Sequence, residues 1–262
     1  MSVSRLYVEA DLSAGSEAPL GDAQLHYLRH VMRRPDGAPL RLFNGRDGEW
    51  RGAFEARGKK AAVAVVVERL REQQPEPDVW LCFAPVKRAR IDYIAEKATE
   101  LGAAALQPVL TRHTIVERVN VERLRDNAIE AAEQTERLTV PEVRAPVELA
   151  RLLAEWPAGR RLLMCDETGG GPPIAEALAG LDREGRAAPW AILVGPEGGF
   201  AEQELALLRR TPDVMAVGLG RRILRADTAA LAALACWQAL VGDWRHPTLR
   251  LEVDYRTAKS PI

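Results

Sequence analysis

Two glycine-bearing stretches hold the residues best spaced for ligand chemistry. One is ILVGPEGGF, residues 192–200; the other is VGLGRRILRADTAA, residues 217–230. Each begins as an apolar strand, stops at glycine and leads through a turn into a helical pattern. Taken singly, either loop is a tight strand-to-helix turn in which glycine supplies positive φ. Taken together, the two strand ends leave backbone N–H and C=O groups free around one crevice for a small ligand. GPEGGF is neither G-x-x-x-x-G-K-[ST] nor G-x-G-x-x-G, so a nucleotide-phosphate loop is not indicated.

Other reactive side chains are less organised. His26 and His30 are four apart on a predicted helix, a metal-compatible spacing, but Tyr27 stands where H-E-x-x-H needs Glu. Neither His113 nor His246 supplies an evident third ligand, so no metal is expected. Cys82, Cys165 and Cys236 are odd in number, far apart and without a C-x-x-C, which argues against a disulfide framework or a zinc site and for a reducing cytoplasm. Glu133, Gln134 and Arg137 fall on one predicted helix. Glu133 and Arg137 there fit an ordinary i, i+4 pair.

The elements that must position these groups divide into two rhythms. Residues 1–70 read mostly as β: a strand, a turn and a second strand over residues 40–55, then a β-branched strand over 61–70. Residues 22–33 read as one helix with Asp22 as N-cap and Leu25, Leu28 and Met32 on one face. A small barrel with one helix satisfies that pattern. REQQPEPD, residues 71–78, is polar and proline-bearing and reads as a linker. Strands and helices then alternate. Strands are expected at residues 79–86, 106–111, 161–167, 190–195 and 214–220. Helices are expected at residues 89–101, closed by Gly102, at 120–138 and at 226–244. Strands separated by helices imply a parallel sheet covered on both faces. The predicted domains are residues 1–70 and 79–246.

Composition bounds the function classes. The 262 residues are 47% hydrophobic and 28% charged, as for a globular chain with a sizeable core. A formal net charge of −1 excludes a whole-protein basic field. No apolar run is long enough for a membrane span, and no signal core is present. From residue 26 to 60, however, nine Lys/Arg (Arg29, Arg33, Arg34, Arg41, Arg46, Arg51, Arg57, Lys59, Lys60) face four acids, a net of +5. That is a footprint for phosphate-backbone contact, with Arg29, Arg33 and Arg34 as candidates, or else a solvated charged surface in an arginine-rich chain.

LVGPEGGF followed by LGRRILRADTA resembles the knotted SPOUT class of RNA methyltransferases. Within it the chain is similar to the RsmE-type bacterial enzymes that methylate N3 of a uridine in 16S ribosomal RNA. KATELGAAALQPVLTRHT, residues 97–114, EAAEQTERLTVPEV, residues 130–143, and QLHYLRHVMR near the N-terminus resemble that family's other signatures. The match reaches to about Leu240. Asp227 stands where the family usually has Glu, Thr135-Glu136 is a less usual filling, and the segment after Val241 is longer.

The resemblance implies an α/β fold with a small N-terminal PUA-like β-barrel for RNA binding and a C-terminal SPOUT domain with a deep trefoil knot. It implies a homodimer, a cytoplasmic enzyme, and the small ribosomal subunit as partner. It also implies S-adenosylmethionine held by Cys165, Glu167, Gly195, Pro196, Glu197, Gly198, Gly199, Leu219, Gly220, Ile223, Leu224 and Thr228. Adenine suits such a site, because backbone groups can read its edge while Leu and Ile side chains sandwich its ring. Methyl transfer to N3 requires an extruded base, loss of the N3 proton and stabilisation of charge on the uracil oxygens. Arg225 is the candidate for the last task, Gln134 is a candidate for holding a base or bracing the dimer, and Gln134 and Arg137 are candidates for contact with the RNA. Glu197 is a candidate to hold ribose hydroxyls, take the proton or cap a helix; the general base stays unassigned. Two other readings remain open at this level: a non-catalytic RNA-binding assembly factor that keeps the fold, and an unknotted enzyme acting on a phosphorylated metabolite.

Overall fold

The computed structural model describes residues 3–58, 60–116 and 118–245. They divide into two compact units, one ending at Gln74 and the other spanning Pro75–Arg245. Lys59 of the basic stretch, His246 and the rest of the C-terminal tail lie outside the described residues.

In the first unit five strands form one sheet: β1 (Ser4–Tyr7), β2 (Glu17–Leu20), β3 (Pro39–Phe43), β4 (Glu49–Ala56) and β5 (Ala62–Arg71). Their order is β1-β3-β4-β5-β2, with β1 and β3 parallel and the other pairs antiparallel. Alternation in β5 buries Ala62, Ala64 and Val66 against Leu6, Leu40, Leu42 and Phe54. β1 and β2 have four residues each, too few for alternation to stand out in the sequence. Among the described residues no ladder joins β1 to β2, so the expected barrel is here a five-stranded sheet whose path ends at those strands.

The helix expected over residues 22–33 is shorter and changes pitch. α1 (Asp22–His26) starts from Gly21 rather than Asp22, and Gly21 N donates to Gln24 Oε1 at 3.0 Å. It widens into a π-helical turn, Tyr27–Val31, closed by Met32 N donating to Tyr27 O at 2.9 Å. Leu25 and Leu28 are buried beneath it, and Arg33 ends it in the left-handed region at φ 50°.

One carboxylate organises the polar interior of this unit. Glu49 is fully buried and receives Arg5 Nε at 2.6 Å, Arg41 Nη2 at 2.7 Å and Arg71 Nε at 2.8 Å. Burial pushes its pKa up, but the guanidinium donors outweigh that and hold it below the ordinary value. Much of the basic stretch is neutralised locally. Arg46 pairs with Asp11, Arg51 with Glu68, and Arg57 with Glu17 and Glu55. The first 74 residues carry twelve Lys/Arg and ten Asp/Glu, a net of only +2.

The second unit is a parallel sheet. Its strands are β6 (Val79–Phe83), β7 (Ala105–Leu110), β8 (Glu142–Val143), β10 (Arg161–Cys165), β11 (Trp190–Val194) and β12 (Val214–Val217), ordered β12-β10-β11-β6-β7-β8, with β9 (Val147–Glu148) pairing β7. Every pairing is parallel, as the strand–helix alternation requires. Seven helices complete it: α2 (Arg88–Glu100), α3 (Val121–Gln134), α4 (Leu149–Ala154), α5 (Ile174–Ala179), α6 (Arg183–Ala187), α7 (Glu202–Arg210) and α8 (Ala226–Leu240).

Alternate side chains of each strand feed two cores. Leu163 and Cys165 of β10 join α2, α5 and α8 on one face; Leu162 and Met164 join α4 and α7 on the other. α8 is apolar almost all round because it packs against α2, α5, β6 and β11 together. α3 stops at Gln134, short of the expected residue 138, because Glu136 takes a left-handed φ of 61°.

Candidate active site

The ends of β10, β11 and β12 lie side by side because β10 pairs with both neighbours in register. The segments that leave them enclose a cavity of ≈ 170 Å³. Cys165, Asp166, Glu167 and Gly169 come from the first, Val194–Glu197 and Gly199 from the second, and residues 218–224 from the third, with Ala226 and Ala229 of α8 below. The wall is mixed: Leu219 and Leu224 pack on the apolar core, while Asp166 and Glu167 are acidic.

Each loop is held from outside. After β10, Asp166 is buried and accepts from Thr168 N at 2.9 Å, Thr168 Oγ1 at 2.6 Å and Arg209 Nη2 at 3.2 Å. Burial raises its pKa, yet these donors leave it lowered overall. After β11, the chain turns tightly, with Gly199 N bonded to Pro196 O at 2.9 Å. Gly199 has φ +69°, and a Cβ there would sit 2.2 Å from Glu167 Oε1. Gly195 lies against the Phe200 ring, 2.9 Å from where a Cβ would be. Both positions therefore need glycine for close approach.

Two distant side chains fasten this same loop. Arg90, in the first turn of α2, pairs with Glu197 and has Nε 3.9 Å from Asp227 Oδ2 at the start of α8. His113, after β7, has Nδ1 3.1 Å from Gly198 O and 3.0 Å from Gly199 O. Carbonyls only accept, so Nδ1 carries the hydrogen.

The structure thus brings together Cys165, Glu167, Gly195, Pro196, Glu197, Gly199, Leu219, Gly220, Ile223 and Leu224 at one cavity. Gly198 does not line it, because it faces His113, where a Cβ would lie 3.3 Å from that residue's own. Thr228 is exposed on α8, also off the cavity wall. Ile223 is 90% exposed at the rim. Arg225 is the N-cap residue of α8; its carbonyl receives Ala229 N at 2.8 Å. Its side chain is exposed and makes no hydrogen bond or ion pair among the described residues.

The RNA candidates separate. Arg33 is exposed, whereas Arg29 Nη2 donates to Gly58 O at 2.8 Å and Arg34 is half-buried. Gln134 is exposed at the end of α3. Arg137 turns inward: its side chain is 8% exposed and holds Glu76 at 2.6 Å, Thr99 O at 2.8 Å and Ala103 O at 2.8 Å, so its guanidinium braces the fold. It lies beyond α3, which also removes the helical Glu133–Arg137 spacing.

Gly169 and Gly218 line the cavity without having been singled out, while Asp166, Arg221 and Arg222 fall inside the runs Cys165–Glu167 and Leu219–Leu224 expected to line it. Their signal was present, since all adjoin or interrupt the predicted runs. Arg90 and His113 gave none, because a helix-start arginine and a loop histidine are ordinary in sequence. Among the described residues there is no group of three or more His, Cys, Asp or Glu that could hold a metal, and no helix long and apolar enough to cross a membrane.

Known proteins give the arrangement a context. Residues 72–238 match the family model for an RNA methyltransferase domain, and residues 20–67 match an RNA methyltransferase PUA domain. The chain is 32% identical to ribosomal RNA small subunit methyltransferase E of Rickettsia conorii, covering 90% of this chain and 95% of the relative. It is 34% identical to the Synechocystis protein of the same name, covering 90% and 78%. The crystal structure of the Neisseria gonorrhoeae ribosomal RNA small subunit methyltransferase E bound to S-adenosyl methionine superposes with a TM-score of 0.80 at 28% identity, covering 93% of this chain and all (100%) of that one. A Legionella pneumophila methyltransferase in complex with the same cofactor is similar at TM-score 0.80 and 26% identity, covering 93% and 100%. The chain therefore belongs to the RNA methyltransferase family, among the ribosomal RNA small subunit methyltransferase E proteins.

Proposed function

We propose that this protein transfers a methyl group from S-adenosylmethionine to N3 of a uridine in 16S ribosomal RNA of the small subunit. The observation that carries the reading is the convergence of three parallel strand ends on one cavity, in a chain whose relatives bear that enzyme's name. The residues present fit the cofactor. Leu219 and Leu224 offer an apolar wall for adenine, the backbone after β12 is open at Gly220, and Glu167 offers a carboxylate for hydroxyls or an amine. When bound, the cofactor supplies an electrophilic sulfonium methyl group.

The chain's own residues then have distinct tasks. Arg225, unpaired beside the cavity run, stabilises the charge that spreads over the uracil oxygens as the N3 proton leaves. Glu197, committed to Arg90, holds the loop in shape. The first unit docks RNA, with Arg33 as its exposed cation. A trefoil knot, a homodimer and a cytoplasmic location complete the reading. Support for the knot comes from the bridge between Pro173 and Gly218 and from the return of α8 against α2 and α5.

Retained turnover, as opposed to an assembly factor without it, is favoured by the complete set of ligand loops. Incubation with methyl-labelled S-adenosylmethionine and small subunits lacking the modification, followed by mass spectrometry of the RNA, tests the whole reading. Label on N3 of a single uridine is expected. Label elsewhere, or none, overturns it.

A further inference from the structure

The π-helical turn after α1 leaves an unusual face. His26, Tyr27, His30 and Val31 all point to solvent, with Tyr27 39% and Val31 60% exposed. The imidazoles of His26 and His30 are neighbours, with ring centroids 5.0 Å apart and planes tilted by 36°. Neither imidazole nor the Tyr27 hydroxyl makes a hydrogen bond among the described residues. Leu25 and Leu28, on the inner side, are buried. Arg29 is drawn inward to the Gly58 carbonyl, while Arg33, exposed and left-handed, makes no ion pair among the described residues.

The balance matters. The charged groups of this unit are largely spent on one another, as the pairs of Arg46, Arg51 and Arg57 show. What the π-turn presents is three flat rings and one free cation. π-turns recur at functional sites, and flat side chains beside a cation are the equipment for stacking unpaired bases. The rings carry polar edges, which suits bases better than an apolar protein surface. The segment also falls within the match to an RNA methyltransferase PUA domain.

We infer that the face formed by Tyr27, His30 and His26 stacks unpaired bases of the RNA substrate, with Arg33 on an adjoining phosphate. The inference rests on the RNA-methylating reading and adds a mode of contact to it: stacking more than charge. Stacking and phosphate contact differ in salt dependence, because only phosphate contact releases counterions.

The test is fluorescence anisotropy with a labelled fragment of 16S RNA containing the methylated uridine, over a salt series. The Tyr27→Ala/His30→Ala double variant is expected to lose about fivefold to a hundredfold in affinity with an unchanged salt slope. Tyr27→Phe is expected to bind as wild type, since it keeps the ring face. Arg33→Ala is expected to weaken binding and flatten the slope by about one phosphate. Titration with S-adenosylmethionine should be unchanged in all, since its cavity lies in the second unit, and an unchanged urea-denaturation midpoint reports an intact first unit. The inference is overturned if the double alanine variant binds RNA like wild type, or if its loss comes with a changed slope. A wild-type protein that neither binds nor methylates 16S RNA overturns the functional reading as well; a double variant with wild-type KM for subunits overturns the stacking face alone.

Discussion

His113 Nδ1 lies 3.0 Å from the carbonyl oxygen of Gly199, and the two residues are 86 apart in the chain. One imidazole N–H is shared between this carbonyl and that of Gly198, so the peptide planes of the glycine loop are set from outside the cavity. Turning either plane would disturb the tight turn that Gly199 N closes on Pro196 O beside the cavity.

Removing that donor should therefore loosen the cofactor loop. His113→Ala is expected to weaken S-adenosylmethionine binding about fivefold to tenfold, corresponding to one lost hydrogen bond. His113→Asn, whose side-chain amide can donate from a position near Nδ1, should recover most of it. Calorimetric titration reads both. Equal affinities for wild type and His113→Ala would remove the bracing role.

Arg225 is exposed and makes no ion pair among the described residues, so its loss should not disturb folding. Arg225→Ala is expected to lower methylation by about a hundredfold to a thousandfold, the scale of removing one charge-stabilising donor. Its affinity for S-adenosylmethionine should stay near that of wild type. A variant that methylates subunits at the normal rate would show that the charge is stabilised elsewhere.

Glu49 ties three arginines in the interior of the first unit, and a neutral replacement leaves them uncompensated. Glu49→Gln is expected to destabilise the protein by about 3–5 kcal/mol, measured by urea denaturation. The carboxyl is held below its ordinary pKa, so its contribution is present in full above the unfolded-state value. It is lost as pH falls through the lower folded-state value. Acid titration of stability should therefore be steeper in wild type than in Glu49→Gln; parallel curves would contradict the linkage.

Arg137 is spent on Glu76 and two carbonyls. Arg137→Ala should lower stability by about 3–5 kcal/mol, as for other broken buried pairs. The affinity of the folded fraction for RNA should be unaffected. A selective loss of RNA binding with unchanged melting would restore the role in RNA contact expected from its sequence position.

Much of this architecture was legible because it depends on local pattern. The runs before Cys165, Gly195 and Gly218 are apolar at every position, which is what a strand covered on both faces requires; Asp166 marks where the first stops and glycine where the other two do. The linker around residues 71–78 declared itself through prolines and lost periodicity. Less visible were β1 and β2, too short to show a period, and the π-turn, whose widened hydrogen bond from Met32 to Tyr27 has no signature in residue spacing.

By itself the sequence determined that a parallel sheet would form and that glycine loops would open at the ends of its later strands. Only the tertiary structure decided which distant side chains hold those loops. Arg90 reaches Glu197 across 107 residues, and His113 reaches Gly199 across 86. It also decided that Arg137 turns inward while Arg33 and Arg225 stay exposed. The physical reason is the same in each case. An arginine or histidine has no fixed preference for surface or interior; burial is favourable where carboxylates or carbonyls meet most of its N–H groups, and such partners are gathered by the folding of the whole chain.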